Sequence, residues 1–289
     1  MSKRYKHTRH PRKSQGALIA KIALAAIILI GLALYASRNI QPQNDQTTNR
    51  QTMPGQAQLW KITTPPDLLE IMAHYTGFTV SFNPDMHVPN YVIWELTANE
   101  AQADSVTRSG AKFTCDYSIE GCPDTYDYRN SGFDRGHMCP AADMKWSRQA
   151  MDDCHIMTNI APQTHKLNGG PWKTLESNCR KWALRDSALI IISGPILTDR
   201  LSRRIGTTGV IVPERYFKVV LAPYANPPRG IAFIMNNYDT TGGVQPTATT
   251  IDEVETITGF DFFAALPDEI ENQVESQSNY QQWQRLKTR

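Results

Sequence analysis

The chain has 289 residues, 40% hydrophobic and 20% charged, which excludes wholesale disorder and leaves room for one large domain or two small ones. Its net charge of +2 averages unlike parts: residues 1–38 carry eight Lys or Arg and no acid, so the remainder holds 22 cations against 28 acids. A protein that coats nucleic acid by bulk charge is thereby excluded, because such binding draws on many phosphate contacts.

In chain order, residues 1–16 read as a basic cytoplasmic tail containing Lys3, Arg4, Lys6, Arg9, Arg12 and Lys13. Residues 17–36 are apolar apart from Lys21, and twenty helical residues at about 1.5 Å each span roughly 30 Å, the thickness of a bilayer core. Lys21 lies one turn from the basic end, where its stem can reach the headgroups. Positive flanking charge keeps that end in the cytoplasm and places everything after Arg38 outside, in the periplasm or beyond the cell. The expectation is an uncleaved transmembrane anchor. A cleaved signal peptide, with secretion of the remainder, is the competing reading, but Leu34 and Tyr35 before Ala36 make a poor cleavage site.

Residues 37–58 are dominated by Gln, Asn, Thr, Pro and Arg and read as a flexible linker. Residues 59–289 then form one domain, since no second linker appears. Within it 67–74 has a helical pattern, 78–82 and 91–96 read as strands, and 108–143 is rich in turn residues. A helix is expected from near Asn168 or Pro171 to Leu184, opened by Gly169, Gly170 and Pro171. The β-branched runs 188–192, 209–212, 216–221 and 231–235 read as buried strands, and 268–286 as a closing polar helix. Strands and helices do not alternate regularly, which predicts an α+β fold with a central, largely antiparallel sheet. Cysteines at 115, 122, 139, 154 and 179 leave at least one unpaired within a monomer, and none has the spacing of a metal site. Cys115 and Cys122, around a turn at Gly121 and Pro123, could pair in an oxidising compartment; idle thiols are the equal alternative.

The stretch richest in chemistry is Ser131-Gly-Phe-Asp-Arg-Gly-His137, followed by Met-Cys-Pro-Ala-Ala-Asp143. Asn168 comes 31 residues after His137 and Glu176 eight after that, with Met157-Thr-Asn-Ile-Ala-Pro-Gln163 between. These segments resemble the DNA/RNA non-specific endonuclease family, whose marks are a ββα-metal core, a D-R-G-H motif, and an Asn and a Glu eight residues apart. The resemblance extends to 74–77, 210–220 and 258–267, covering roughly residues 59–275.

The resemblance implies hydrolysis of phosphodiester bonds in DNA and RNA without marked sequence preference, leaving 5′-phosphate and 3′-hydroxyl ends. That chemistry needs an activated water, neutralised phosphate charge and help for the departing 3′ oxygen. An imidazole with a pKa near 6.5 can take a proton from water at neutral pH, and His137 matches the family's base. A hard cation, Mg²⁺ or Mn²⁺, fits the other needs; Asn168 matches its amide ligand and Glu176 the carboxylate that orders its water shell. Arg135 and Arg180 match family arginines, and Arg108 an upstream one; guanidinium groups grip phosphate and keep their charge. Arg180 is one turn beyond Glu176 on the same helix face, and an exposed ion pair between them is the bland alternative to a place in the site.

Asp134 is expected to brace its loop through backbone amides, Asn159 and Gln163 to brace the loop carrying Asn168, and Trp146, Trp172 and Met144 to pack the core. His155 and His165 are expected in surface or structural roles. Gly169-Gly170-Pro171 departs from the family pattern. The implied partners are DNA and RNA through their phosphates, and a membrane through residues 17–36. An exported binding protein that captures nucleic acid without cutting it is the alternative, whereas the absence of H-E-x-x-H and G-x-S-x-G sets aside zinc peptidases and serine esterases.

Overall fold

The computed structural model describes residues 55–197 and 203–285. The expected cytoplasmic tail, anchor and nearly all of the linker lie outside them. Among the described residues, no helix is long and apolar enough to cross a membrane. The linker was expected to run to residue 58, but a short helix, Gln56–Leu59, begins inside that stretch and buries Leu59.

The body is built on β1 (Ile71–Tyr75), β2 (Phe78–Asn83), β3 (Val88–Thr97), β6 (Ala188–Ile196), β9 (Arg215–Ala222), β10 (Arg229–Asn236) and β11 (Ala248–Thr249). They form one seven-stranded sheet in the order β1-β2-β3-β6-β9-β10-β11, antiparallel throughout. Period-two alternation gives the sheet two buried faces. In β6, Leu189 and Ile191 enter one core while Ile190 and Ile192 enter the other; in β9, Tyr216 and Val220 oppose Phe217 and Val219.

The first face carries the short pair β4 (Asp134–His137) and β5 (Ile160–Gln163), the small helices α1 (Ala98–Gln102) and α2 (Arg148–Asp153), and the long helix α3 (Lys173–Asp186). Leu175, Cys179, Trp182 and Ala183 of α3 pack into that core. The second face is covered by α4 (Ile251–Thr258) and α5 (Asp268–Glu275), with Phe260, Phe262 and Phe263 beneath them. The architecture is α+β with an antiparallel sheet, as the irregular order of elements predicts.

Several elements differ from expectation. Residues 71–75 form an edge strand, where a helix was expected over 67–74. Gly77, at φ +89°, turns the chain back after Tyr75, and a β-carbon there would meet Trp146 at 2.8 Å. Only Val210–Ile211 of 209–212 is strand, and it pairs with β7 (Arg204–Ile205) as β8 of a separate ribbon. The closing helix is two, α5 and α6 (Tyr280–Arg285), because Val274 packs on the second face and Trp283 on the first, so the chain must break to pass the sheet. All five cysteines are free, with Cys115 and Cys122 adjacent: the Cys115 thiol donates to the Cys122 carbonyl at 3.3 Å.

Candidate active site

The turn-rich segment predicted for 108–143 contains a strand that only pairing reveals. In β4 and β5, Asp134 lies opposite Gln163, Gly136 opposite Ala161 and His137 opposite Ile160. The chain leaves β5, makes one helical turn at His165–Leu167, and enters a wide turn over Asn168–Trp172 that leads directly into α3. This is a ββα unit, anchored to the main sheet by Ser193, whose hydroxyl donates to the Met138 carbonyl at 3.0 Å.

One cleft on this unit is lined by Arg108, Arg135, His137, Asn168, Glu176 and Arg180, so all six residues singled out by sequence meet there. Lys145 and Lys173 also line it. Five cations line the cleft beside one carboxylate; Arg180 and Lys145 are paired with Asp143 and Asp104, which leaves Arg108, Arg135 and Lys173 without an ion pair among the described residues.

His137 is held by its backbone, as Trp172 donates its indole N–H to the His137 carbonyl at 3.2 Å. Its Nε2 is buried and has no hydrogen-bond partner among the described residues. Burial, then the neighbouring His155 and Arg108, pushes its pKa well below the usual histidine value, so the imidazole is neutral and can accept a proton. The rings of His155 and Phe113 pack against it at 4.9 and 5.3 Å between centroids.

His155 proves structural and buried, as one of the two expected roles had it. Its Nδ1 sits 2.8 Å from the Met151 carbonyl, which can only accept, so the proton is on Nδ1. Nε2 is then the acceptor for Arg108, whose Nε donates to it at 3.1 Å. A buried neutral histidine thus aims an exposed arginine at the cleft, a relation 47 residues apart that no local pattern betrays.

Asp134 was expected to hold backbone amides. It holds side chains: Oδ2 accepts from Asn168 Nδ2 at 2.9 Å and lies 2.9 Å from His165 Nδ1. A carboxylate accepts only, so the Asn168 amide must turn its nitrogen to Asp134, leaving its carbonyl oxygen for another partner. The Gly169-Gly170-Pro171 departure does not loosen this pose, because Asn168 has helical dihedrals and its N–H donates to the Thr164 carbonyl at 2.9 Å. Only Gly170 leaves the helical region, at φ −106°, ψ −116°.

Glu176, on the first turn of α3, has its pKa raised to about 7 by burial and by Asp143, against the pull of Lys218 and Arg180. Arg180 does not pair with Glu176 in an exposed bridge. It donates to Asp143 Oδ1 at 2.8 Å, and Asp143, itself buried, also accepts the Trp94 indole N–H at 3.2 Å. Arg135 donates to the Thr125 carbonyl at 2.6 Å and lies over the rings of Phe113 and Tyr128. Beneath the site lies Lys218, 1% exposed, with Nζ 4.3 Å from the Trp172 ring centre. Sequence reading placed Lys218 inside a strand; its alternation with Tyr216 and Val220 was the signal that it faces the site.

Asn159 braces a different loop from the one expected. Its amide spans Cys139, accepting from the N–H and donating to the carbonyl, both at 2.9 Å, and fixes the chain just after His137. Gln163 is buried against Gly136, where a β-carbon would stand 2.3 Å from its Oε1. The glycine of D-R-G-H is therefore a matter of space. Gly136→Ala should destabilise the fold by about 1–3 kcal/mol through overpacking, and adding Gln163→Ala should recover part of that loss in thermal melts. Trp172 and Met144 are core residues, and Trp146 packs at their edge as expected.

The sequence profile of the DNA/RNA non-specific endonuclease family matches residues 55–269, a span that includes every cleft residue named above. The chain belongs to that family. It is 30% identical over 214 residues to the mitochondrial nuclease EXOG of Homo sapiens, covering 66% of this chain and 56% of that protein. It is also 30% identical over 215 residues to a mitochondrial nuclease of Saccharomyces cerevisiae, covering 66% and 64%. Against endonuclease G of Homo sapiens the figures are 30% over 160 residues, 50% and 52%. The chain thus spans roughly half to two thirds of the length of these relatives. A solved structure of the EndoG/EndoGI complex superposes with a TM-score of 0.67 at 25% identity, covering 73% of this chain and 92% of that one. The ββα unit therefore lies within the span that matches the family.

Proposed function

We propose that the chain is a metal-dependent endonuclease that hydrolyses phosphodiester bonds of DNA and RNA without marked sequence preference. The observation that carries this reading is the single cleft in which a neutral imidazole nitrogen without a partner among the described residues, an oriented amide and a carboxyl with a pKa of about 7 face five cations.

His137 takes the proton from the attacking water, for which its depressed pKa keeps it available. Arg108, Arg135 and Arg180, each already hydrogen-bonded to a neighbouring group, bind and orient the phosphate without having to be immobilised at the moment of reaction. The donors left over suit a hard cation: Asn168 offers an oxygen whose amide nitrogen is already committed, and Glu176 offers a carboxyl that a nearby positive charge would ionise. Bound there, Mg²⁺ or Mn²⁺ would offset charge on the phosphate and on the departing 3′ oxygen. Asn168 would hold it directly and Glu176 through its waters. The products are then 5′-phosphate and 3′-hydroxyl ends. Digestion of closed-circular plasmid and of RNA tests this: cleavage should require Mg²⁺, stop with EDTA, and give 5′ ends that polynucleotide kinase labels only after phosphatase treatment. Ends labelled without phosphatase would refute the assigned leaving group.

The acid limb of the rate profile belongs to Glu176. In the ion-free cleft Glu176 takes up a proton below about pH 7, and once protonated it no longer orders an ion's waters, whereas His137 stays neutral to lower pH. Glu176→Gln should therefore remove the acid limb from the turnover that remains; a limb unchanged in that variant would assign it to His137.

We also propose that residues 17–36 anchor the chain in a membrane with the nuclease body outside the cytoplasm, on the strength of the apolar length and its basic flank. A reporter fused after Arg289 should be active only outside, and the chain should stay with membranes in high salt. Soluble protein beginning near Ser37 would show a cleaved signal instead.

A further inference from the structure

On the face of the sheet away from the cleft, Asp252 and Glu255 project from one side of α4, three residues apart, toward Glu275 at the end of α5. One carboxylate oxygen from each lies within 4.8 Å of the others. Two oxygens that share an ion at about 2.4 Å can be no farther apart than about 4.8 Å, so the three can meet on one cation. Carboxylates alone would not argue for this, since exposed acids often cluster. Glu275 is different: it is 8% exposed, and its Oε1 is buried with no hydrogen-bond partner among the described residues. The charges that act on it most strongly are Glu255, Glu271, Asp252 and Asp261, all acidic. A buried carboxylate that meets only like charge needs a cation or a proton.

We infer that Asp252, Glu255 and Glu275 form a second cation site, for Ca²⁺, which ties α4 to α5 behind the sheet. Mg²⁺ keeps most of its waters and takes one or two carboxylates, whereas Ca²⁺ accepts several at once in a loose shell. Asp252 is exposed, so the shell opens to solvent on that side and water can complete it. Glu255 already accepts the Phe262 N–H at 2.7 Å, so an ion here also fixes the segment that seats Phe260, Phe262 and Phe263. Glu275 lies beyond residues 55–269, so this site joins the family body to the chain that follows it. Without an ion, burial and then mutual repulsion hold Glu275 up at about 9 and Glu255 at about 7, so a proton takes its place.

Thermal melts of the full chain in detergent separate the ion from the proton. Affinities of open Ca²⁺ modules are about 10⁻⁴–10⁻³ M, so about 5 mM Ca²⁺ should raise the parent's Tm over EDTA by roughly 2–8 °C. Asn168→Ala, which alters only the cleft, should keep that rise. Asp252→Asn/Glu275→Gln should lose it, melt higher than the parent in EDTA because the repulsion is gone, and still cut plasmid. Asp252→Asn alone, at an exposed position, should halve the rise or more. A parent Tm indifferent to Ca²⁺ would mean that a proton alone satisfies the cluster, and a rise that persists in the double variant would place the ion elsewhere; either overturns the site.

Discussion

His137→Ala should lower the rate of phosphodiester cleavage by at least about 10²–10⁴-fold, the usual contribution of a general base, with no loss of fold or of DNA affinity measured in EDTA. The expectation follows from the position of Nε2, which is buried, partnerless among the described residues, and kept neutral by burial and by the two cation-capable neighbours His155 and Arg108. Because His137 acts on the water's proton and is not among the groups assigned to grip the phosphate, the loss should appear in kcat and leave KM nearly unchanged. Added imidazole should restore part of the rate, since the space left behind is bounded by Phe113 and His155. Near-parental plasmid nicking by the variant would remove His137 from the mechanism.

The second large effect is on the metal requirement. Asn168→Ala should raise the Mg²⁺ concentration for half-maximal activity by more than about 10-fold. Asp134→Ala should do much the same without touching the ion, because Asp134 is what turns the Asn168 oxygen toward the cleft. Partners that orient a ligand are typically worth about 10–100-fold in metal affinity. Glu176→Ala should chiefly lower turnover, with a smaller change in metal requirement, as befits a group acting through water. Mg²⁺ titrations of the three variants decide the matter. If Asn168→Ala binds metal as tightly as the parent and turns over normally, the ion is held by other residues.

What sequence reading could and could not see follows from how each feature is encoded. Buried strands such as β6 and β9 announce themselves because their β-branched runs need no partner to be recognised. The six cleft residues were found because a motif fixes their order, and the fold closes that order into one site. Strand β4 was hidden, since four residues of Asp-Arg-Gly-His have no strand pattern and acquire one only by pairing with β5. The same holds for β1, whose apolar residues satisfy a helical period until Gly77 sends the chain back.

Side-chain relations were harder still. Asp134 on Asn168, His155 behind Arg108 and Asp143 on Arg180 span 34, 47 and 37 residues, and each is set by tertiary packing. Lys218 carries no local mark of its role, because a lysine within an apolar strand belongs to no motif. Here its ammonium lies 5.0 and 4.3 Å from the ring centres of Trp94 and Trp172, and its charge opposes the upward pull on Glu176.

The most direct measurement is anomalous diffraction from crystals of the protein grown with Mn²⁺ and a non-cleavable oligonucleotide. One strong peak is expected in the cleft, within coordination distance of the Asn168 side-chain oxygen and separated from Glu176 by water, with a phosphate beside His137. A cleft without a peak, or a peak touching Glu176 and not Asn168, would contradict it.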